Sequence, residues 1–189
     1  KQEISIMLAE DSETSFSVYV NGENAGKEWA KTRNKILAAA PFKLKAKFDG
    51  DNLDIKISNH WGKGKDHLEK QDIHGYYEDY ETGPFELEIW HYPRAAAKVK
   101  TDFKEIYYEN YIGREKLDVF LKTNYNLMLY RDGVWFKPYG LEEDWLDLDK
   151  QKVQDSDKIG KTEFYGIIHL SKKKNPNIQQ ASHRETILK

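Results

Sequence analysis

The sequence predicts an α+β domain, a mostly antiparallel sheet with helices packed on one face. Three observations carry that expectation. Short period-2 apolar runs recur along the chain, as half-buried strands require. Two pairs of them flank Asp-Gly turns, at Asp49-Gly50 and Asp132-Gly133, the signature of antiparallel hairpins. Between them stand stretches whose apolar residues recur at helical spacing, and strands and helices mixed in this way build a sheet with helices segregated to one side.

In chain order, Ile4, Ile6 and Leu8 alternate with polar residues, and so do Phe16, Val18 and Val20, which run into Asn21-Gly22. Lys27 to Ala40 reads as a helix with Trp29, Ile36 and Leu37 near one face, stopped by Pro41 because proline has no N–H to continue it. Leu44, Ala46 and Phe48 rise to the first Asp-Gly turn, and Leu53, Ile55 and Ile57 descend from it. Residues 59–83 are polar and aperiodic and read as a long loop. Phe85, Leu87 and Ile89 oppose Glu86, Glu88 and Trp90 on a strand. Residues 94–122 read as one or two helices broken at Gly113, with Ile106, Tyr107, Leu117, Phe120 and Leu121 on the apolar face. The second hairpin joins Leu127 and Leu129 to Val134 and Phe136. Residues 141–160 are acidic and irregular, and Phe164 to Leu170 is a buried strand. A basic loop, Lys172 to Gln180, leads to a truncated helix from Ala181, with Ser182 and Glu185 at capping-box spacing. Residues 83–189 are expected to form one such unit. Residues 1–82 read as a linking segment or as part of the same domain.

Composition narrows the function. With 189 residues, 39% hydrophobic and 13% aromatic, the chain can bury a core and is not a disordered polar tract. Zero Cys excludes disulfide scaffolds and thiolate metal sites and fits a reducing, cytoplasmic setting. No apolar run reaches membrane-spanning length. The opening Lys-Gln-Glu has neither an initiator Met nor a signal-peptide pattern, and is expected to begin a piece of a longer protein. The net charge of -2 hides a split: residues 1–157 sum to -7 and residues 158–189 to +5. A basic end on an acidic body suits an anionic partner such as phosphate, nucleic acid or an acidic protein patch.

Most sites for chemistry are absent. Gly62-Lys63-Gly64-Lys65 lacks the frame of a phosphate loop. His60, His67, His74 and His91 lack metal-ligand spacing. Glu142, Glu143, Asp144, Asp147 and Asp149 lack the alternation of a calcium loop, and Trp145, Leu146 and Leu148 among them point to packing. Ser182-His183 has no marked carboxylate partner. No aromatic residue lies in 171–189, which argues against base stacking. What remains is Lys172, Lys173, Lys174 and Arg184, cations beside a turn and an expected helix start, where backbone N–H groups also favour anions.

Two segments carry a family resemblance. One is Asn126-Leu127-Met128-Leu129-Tyr130-Arg131-Asp132-Gly133-Val134-Trp135-Phe136-Lys137-Pro138-Tyr139-Gly140 with Asp144-Trp145-Leu146-Asp147-Leu148-Asp149. The other is Gly166-Ile167-Ile168-His169-Leu170-Ser171, Asn175-Pro176-Asn177 and Ser182-His183-Arg184-Glu185. Preceded by Gly83-Pro84-Phe85-Glu86-Leu87-Glu88-Ile89, this ordered set resembles the second domain of bacterial GHKL (histidine-kinase-like, Hsp-ninety-type) ATPases. The resemblance covers roughly residues 83–189 and departs from the family pattern at His183 and Thr186, where Asn and Gly are usual. It implies a transducer domain similar to the second domain of ribosomal protein S-five, following a Bergerat-fold domain that binds ATP and Mg through an Asn-bearing helix and a DxGxG loop. This chain has neither motif, so the resemblance implies no cofactor and no catalysis of its own. The implied partners are that missing N-terminal domain, a nucleic-acid or protein client, and a second copy in a homodimer. By position Arg184 corresponds to the Arg that reaches the γ-phosphate in the heat-shock chaperone; other transducers use a loop lysine, which makes Lys172, Lys173 and Lys174 the second-rank candidates.

Overall fold

The computed structural model describes residues 19–20, 23–59, 66–72, 83–93, 114–136, 139–140, 144–155, 158–176, 178–180 and 187–188. Its centre is a seven-stranded mixed sheet with helices on one face, the α+β arrangement the sequence predicts. A short ribbon, β1 (Tyr19–Val20) and β2 (Glu23–Asn24), leads into helix α1 (Ala25–Ala38). The helix ends at Ala38, just short of the expected stop at Pro41. Ala39 N–H still donates to Lys35 O, and Tyr92 Oη donates to Ile36 O at 2.8 Å, capping a carbonyl the helix leaves open.

Strands β3 (Phe42–Phe48) and β4 (Asn52–Asn59) form the first hairpin. Its turn is closed by Asp49, whose carboxylate accepts the N–H groups of Asp51 and Asn52, the local bond that makes Asp a turn residue. Strand β5 (His67–Asp72) pairs with β4 at the sheet edge. It lies inside the stretch expected to be a loop. Residues 66–71 are all exposed, so no apolar alternation announced it, and backbone pairing alone makes the strand.

Strand β6 (Phe85–His91) pairs with the other side of β3. Helix α2 (Arg114–Thr123) then precedes the second hairpin, β7 (Asn126–Arg131) and β8 (Val134–Phe136). Its two-residue turn has Asp132 at φ 50° and Gly133 at φ 79°, the left-handed pair that matches strand twist. Helix α3 (Leu148–Gln154) is a second correction, since residues 141–160 were expected to be irregular. Strand β9 (Phe164–Leu170) follows, then a ribbon of β10 (Gln179–Gln180) and β11 (Ile187–Leu188). Ile187 and Leu188 are therefore extended where a helix was expected. Ile4 to Val18, Ile106, Tyr107, Ser182 and Glu185 lie outside the described residues.

The strand order is β5-β4-β3-β6-β9-β7-β8. All neighbours are antiparallel except β7 and β9. Strand β9, the last of the seven in sequence, sits between β6 and β7. The sheet also joins β3–β5 to β6–β9, so residues on both sides of position 83 belong to one sheet.

Register sorts the two faces. Trp90, Tyr165, Ile167, Met128, Tyr130 and Trp135 share one face and pack with Ile36 and Ala40 of α1 and Leu117, Phe120 and Leu121 of α2. Burying aromatic rings in this number is the main stabilising term, at about 25 cal/mol per Å² of apolar surface. Beyond the helices the same face turns charged: Lys43 and Lys45 pair with Glu88, Lys47 with Glu86 and Lys70 with Asp54.

Candidate functional site

The three lysines singled out in the sequence lie at one end of the sheet. There β9 ends at Leu170, β7 ends at Arg131 beside it, and β6 begins nearby, Glu86 facing His169. Lys172, Lys173 and Lys174 form the turn that leaves β9, and all three are exposed. Arg184, the first-ranked candidate, lies outside the described residues, as do Ser182, His183, His60, His74, Gly62 to Lys65, Glu142 and Glu143.

The turn is bound tightly to its surroundings. Lys174 N–H and Asn175 N–H both donate to Ser171 O, at 3.2 and 2.7 Å. Asn175 is 1% exposed. Its Oδ1 accepts Ser171 N–H at 2.9 Å, and its Nδ2 donates to Pro84 O at 2.9 Å. Lys172 N–H donates to both carboxylate oxygens of Asp132 at 3.2 Å. Arg131 Nη1 donates to Ile178 O at 2.8 Å. Gly83 stands against the turn with φ +69°, and a Cβ there would lie 2.6 Å from Lys174 O. A side chain at position 83 would therefore be strained and would collide with backbone. Gly83-Pro84, Asp132 and Ser171–Asn175 come from the separate segments that carry the resemblance, and here they touch.

Of the acidic candidates, Asp144 and Asp149 make structural contacts. Asp144 accepts the N–H groups of Leu148 and Asp149 and so caps α3. Asp149 accepts Lys161 N–H. Trp145 Nε1 donates to Leu127 O at 2.9 Å, and its ring meets Tyr139 edge-on at 5.3 Å. These contacts seat the acidic segment on β7. Among the described residues no group of three His, Asp or Glu side chains could hold a metal ion. His67 is exposed on β5. His91 is half-buried beside Phe42, and burial pushes its pKa down, with Glu163 opposing and Lys152 adding to the shift.

Sequence reasoning missed the parts played by Asn175, Asp132 and Gly83. Asn175-Pro176-Asn177 and Asp132-Gly133 were visible as turns, but their partners across the sheet were not. An open groove of about 690 Å³ over the β3–β6 end of the sheet is lined by Lys45, Lys56, Lys70, Asp54, Glu86 and Glu88 among others. Its charges largely pair with one another.

Comparison of the chain with family models, with curated proteins and with solved structures gives no match. Among the described residues no helix is long and apolar enough to cross a membrane.

Proposed function

We propose that this chain is the transducer part of a two-part GHKL-type ATPase, similar in fold to the second domain of ribosomal protein S-five. In this reading a preceding domain holds ATP and Mg, and the present chain delivers cations to the γ-phosphate. Arg184 is the foremost contact, and Lys172, Lys173 and Lys174 are further ones. As charge builds on the transferring phosphoryl oxygens, a cation from a second domain stabilises it and makes the closed arrangement depend on the triphosphate. The chain by itself carries out no hydrolysis.

One observation supports the reading above the rest. Segments far apart in sequence, each matching the family pattern, meet at one sheet end and fix a turn that presents three exposed lysines. The test uses the protein that includes the nucleotide-binding domain. Arg184→Ala is expected to lower turnover by orders of magnitude while ATP affinity stays nearly constant. Unchanged turnover removes Arg184 from the role.

The same exposed lysines favour a second reading, a nucleic-acid or protein-binding module. It requires binding that weakens steeply as salt rises and weakens further on substitution of Lys172–Lys174. Measuring binding to a mixed single-stranded DNA at two salt concentrations separates the readings.

A further inference from the structure

We propose that Asn175 is the positioning residue of the lysine turn, seated on Gly83, and that it holds the backbone of Lys172–Lys174 in the geometry that receives a polyphosphate. This rests on the reading of these lysines as phosphate contacts.

The argument begins with cost. A buried side-chain amide is retained only when both its ends are hydrogen-bonded. Asn175 meets that condition in a particular way: its oxygen takes Ser171 N–H at the start of the turn, and its nitrogen gives to Pro84 O at the start of β6. One side chain thus closes the turn and attaches it to the sheet. An amide accepts at its oxygen and donates at its nitrogen without any change of protonation, which a carboxyl of the same size does only as the acid. Gly83 completes the seat, because a Cβ there would also lie 2.9 Å from Asn175 Nδ2. Asp132 secures the leading edge through Lys172 N–H. The lysine backbone is therefore ordered before any ligand arrives, and only the ammonium stems remain to be ordered on binding. Prior ordering of a loop raises affinity by removing its entropic cost from the binding step.

The test titrates the whole chain with sodium tripolyphosphate and follows the amide NMR signals of Lys172, Lys173 and Lys174. The wild type is expected to show saturable shifts at these amides, and replacement of all three lysines by Gln to abolish them. Asn175→Ala and Gly83→Ala are each expected to weaken binding about tenfold with all lysines still present. The double variant should bind no more weakly than the worse single one, since both disturb one contact. A residue that served stability alone would lower the melting temperature and leave the affinity of the folded protein unchanged. If Asn175→Ala does not fold, Asn175→Asp carries the test. Its acid can accept and donate when protonated but opposes Pro84 O when ionised, and burial raises its pKa. It should bind like the wild type near pH ~5 and about tenfold more weakly than the wild type near pH ~8. Loss of binding in the lysine variant with full affinity in the Asn175 and Gly83 variants overturns the positioning role and leaves the phosphate reading standing. A wild type without shifts at the lysine amides overturns both.

Discussion

Glu163 and His91 sit together where β6 ends and β9 begins. Glu163 is 7% exposed, pairs with Lys152 at 2.5 Å and accepts Gly160 N–H at 3.1 Å. Burial alone would push its carboxyl up, but Lys152 and that N–H outweigh it and hold the pKa below the ordinary value of 4.5. His91 is lowered from 6.5, chiefly by burial. Both groups titrate lower in the folded chain than in the unfolded one. Each therefore favours the fold fully above its unfolded pKa and loses that contribution as pH falls through its folded value. The melting temperature should decline in two stages on acidification, the first beginning just below 6.5 and the second below 4.5. Calorimetry on His91→Gln should show the upper stage gone, and on Glu163→Gln the lower stage reduced, since the lowered carboxyls of Glu88, Asp49 and Glu69 still titrate there. If both variants follow the wild-type profile, these two groups do not govern acid stability.

Helix α3 shows at the level of the element how polar contacts replace a core. It has seven residues and buries none of them, and Val153 is 88% exposed. So short a helix does not hold by propensity. It is held by the Asp144 cap, by Lys152 on Glu163 and by Asp149 on the Lys161 N–H. Asp144→Ala should cost about 1 kcal/mol and speed amide exchange across residues 148–154, with the β9 amides unaffected. The same helix explains what the sequence could and could not disclose. Both hairpins were legible because turn chemistry and apolar alternation agreed locally. Helix α3 and strand β5 were not, because their partners are backbone groups and single charges supplied from elsewhere in the chain. The candidate site divides likewise. A run of three lysines is plain in the sequence, whereas Asn175 depends on Pro84, and Lys172 on Asp132, across the fold.

For the molecule as a whole, the sheet runs across the boundary that the resemblance suggests near residue 83. Strand β6 needs β3: Leu44 faces Ile89, Ala46 faces Leu87, and Glu88 takes both Lys43 and Lys45. A chain beginning at Gly83 would leave β6 with an open edge and a half-buried apolar face uncovered, the conditions for edge-to-edge association. It should elute as aggregate or melt without a cooperative transition, while the whole chain melts in one. A monomeric, cooperatively folding 83–189 would show that the first three strands are an accessory. Strand order also has a consequence in time. The gap between β6 and β7 waits for the strand synthesised after both, so closure of the sheet is a late, long-range event and refolding should be slow. Until then a newborn chain offers a slot that another copy's Phe164–Leu170 can fill as well as its own. At high concentration, intertwined dimers that have traded this segment are the expected misfolded product.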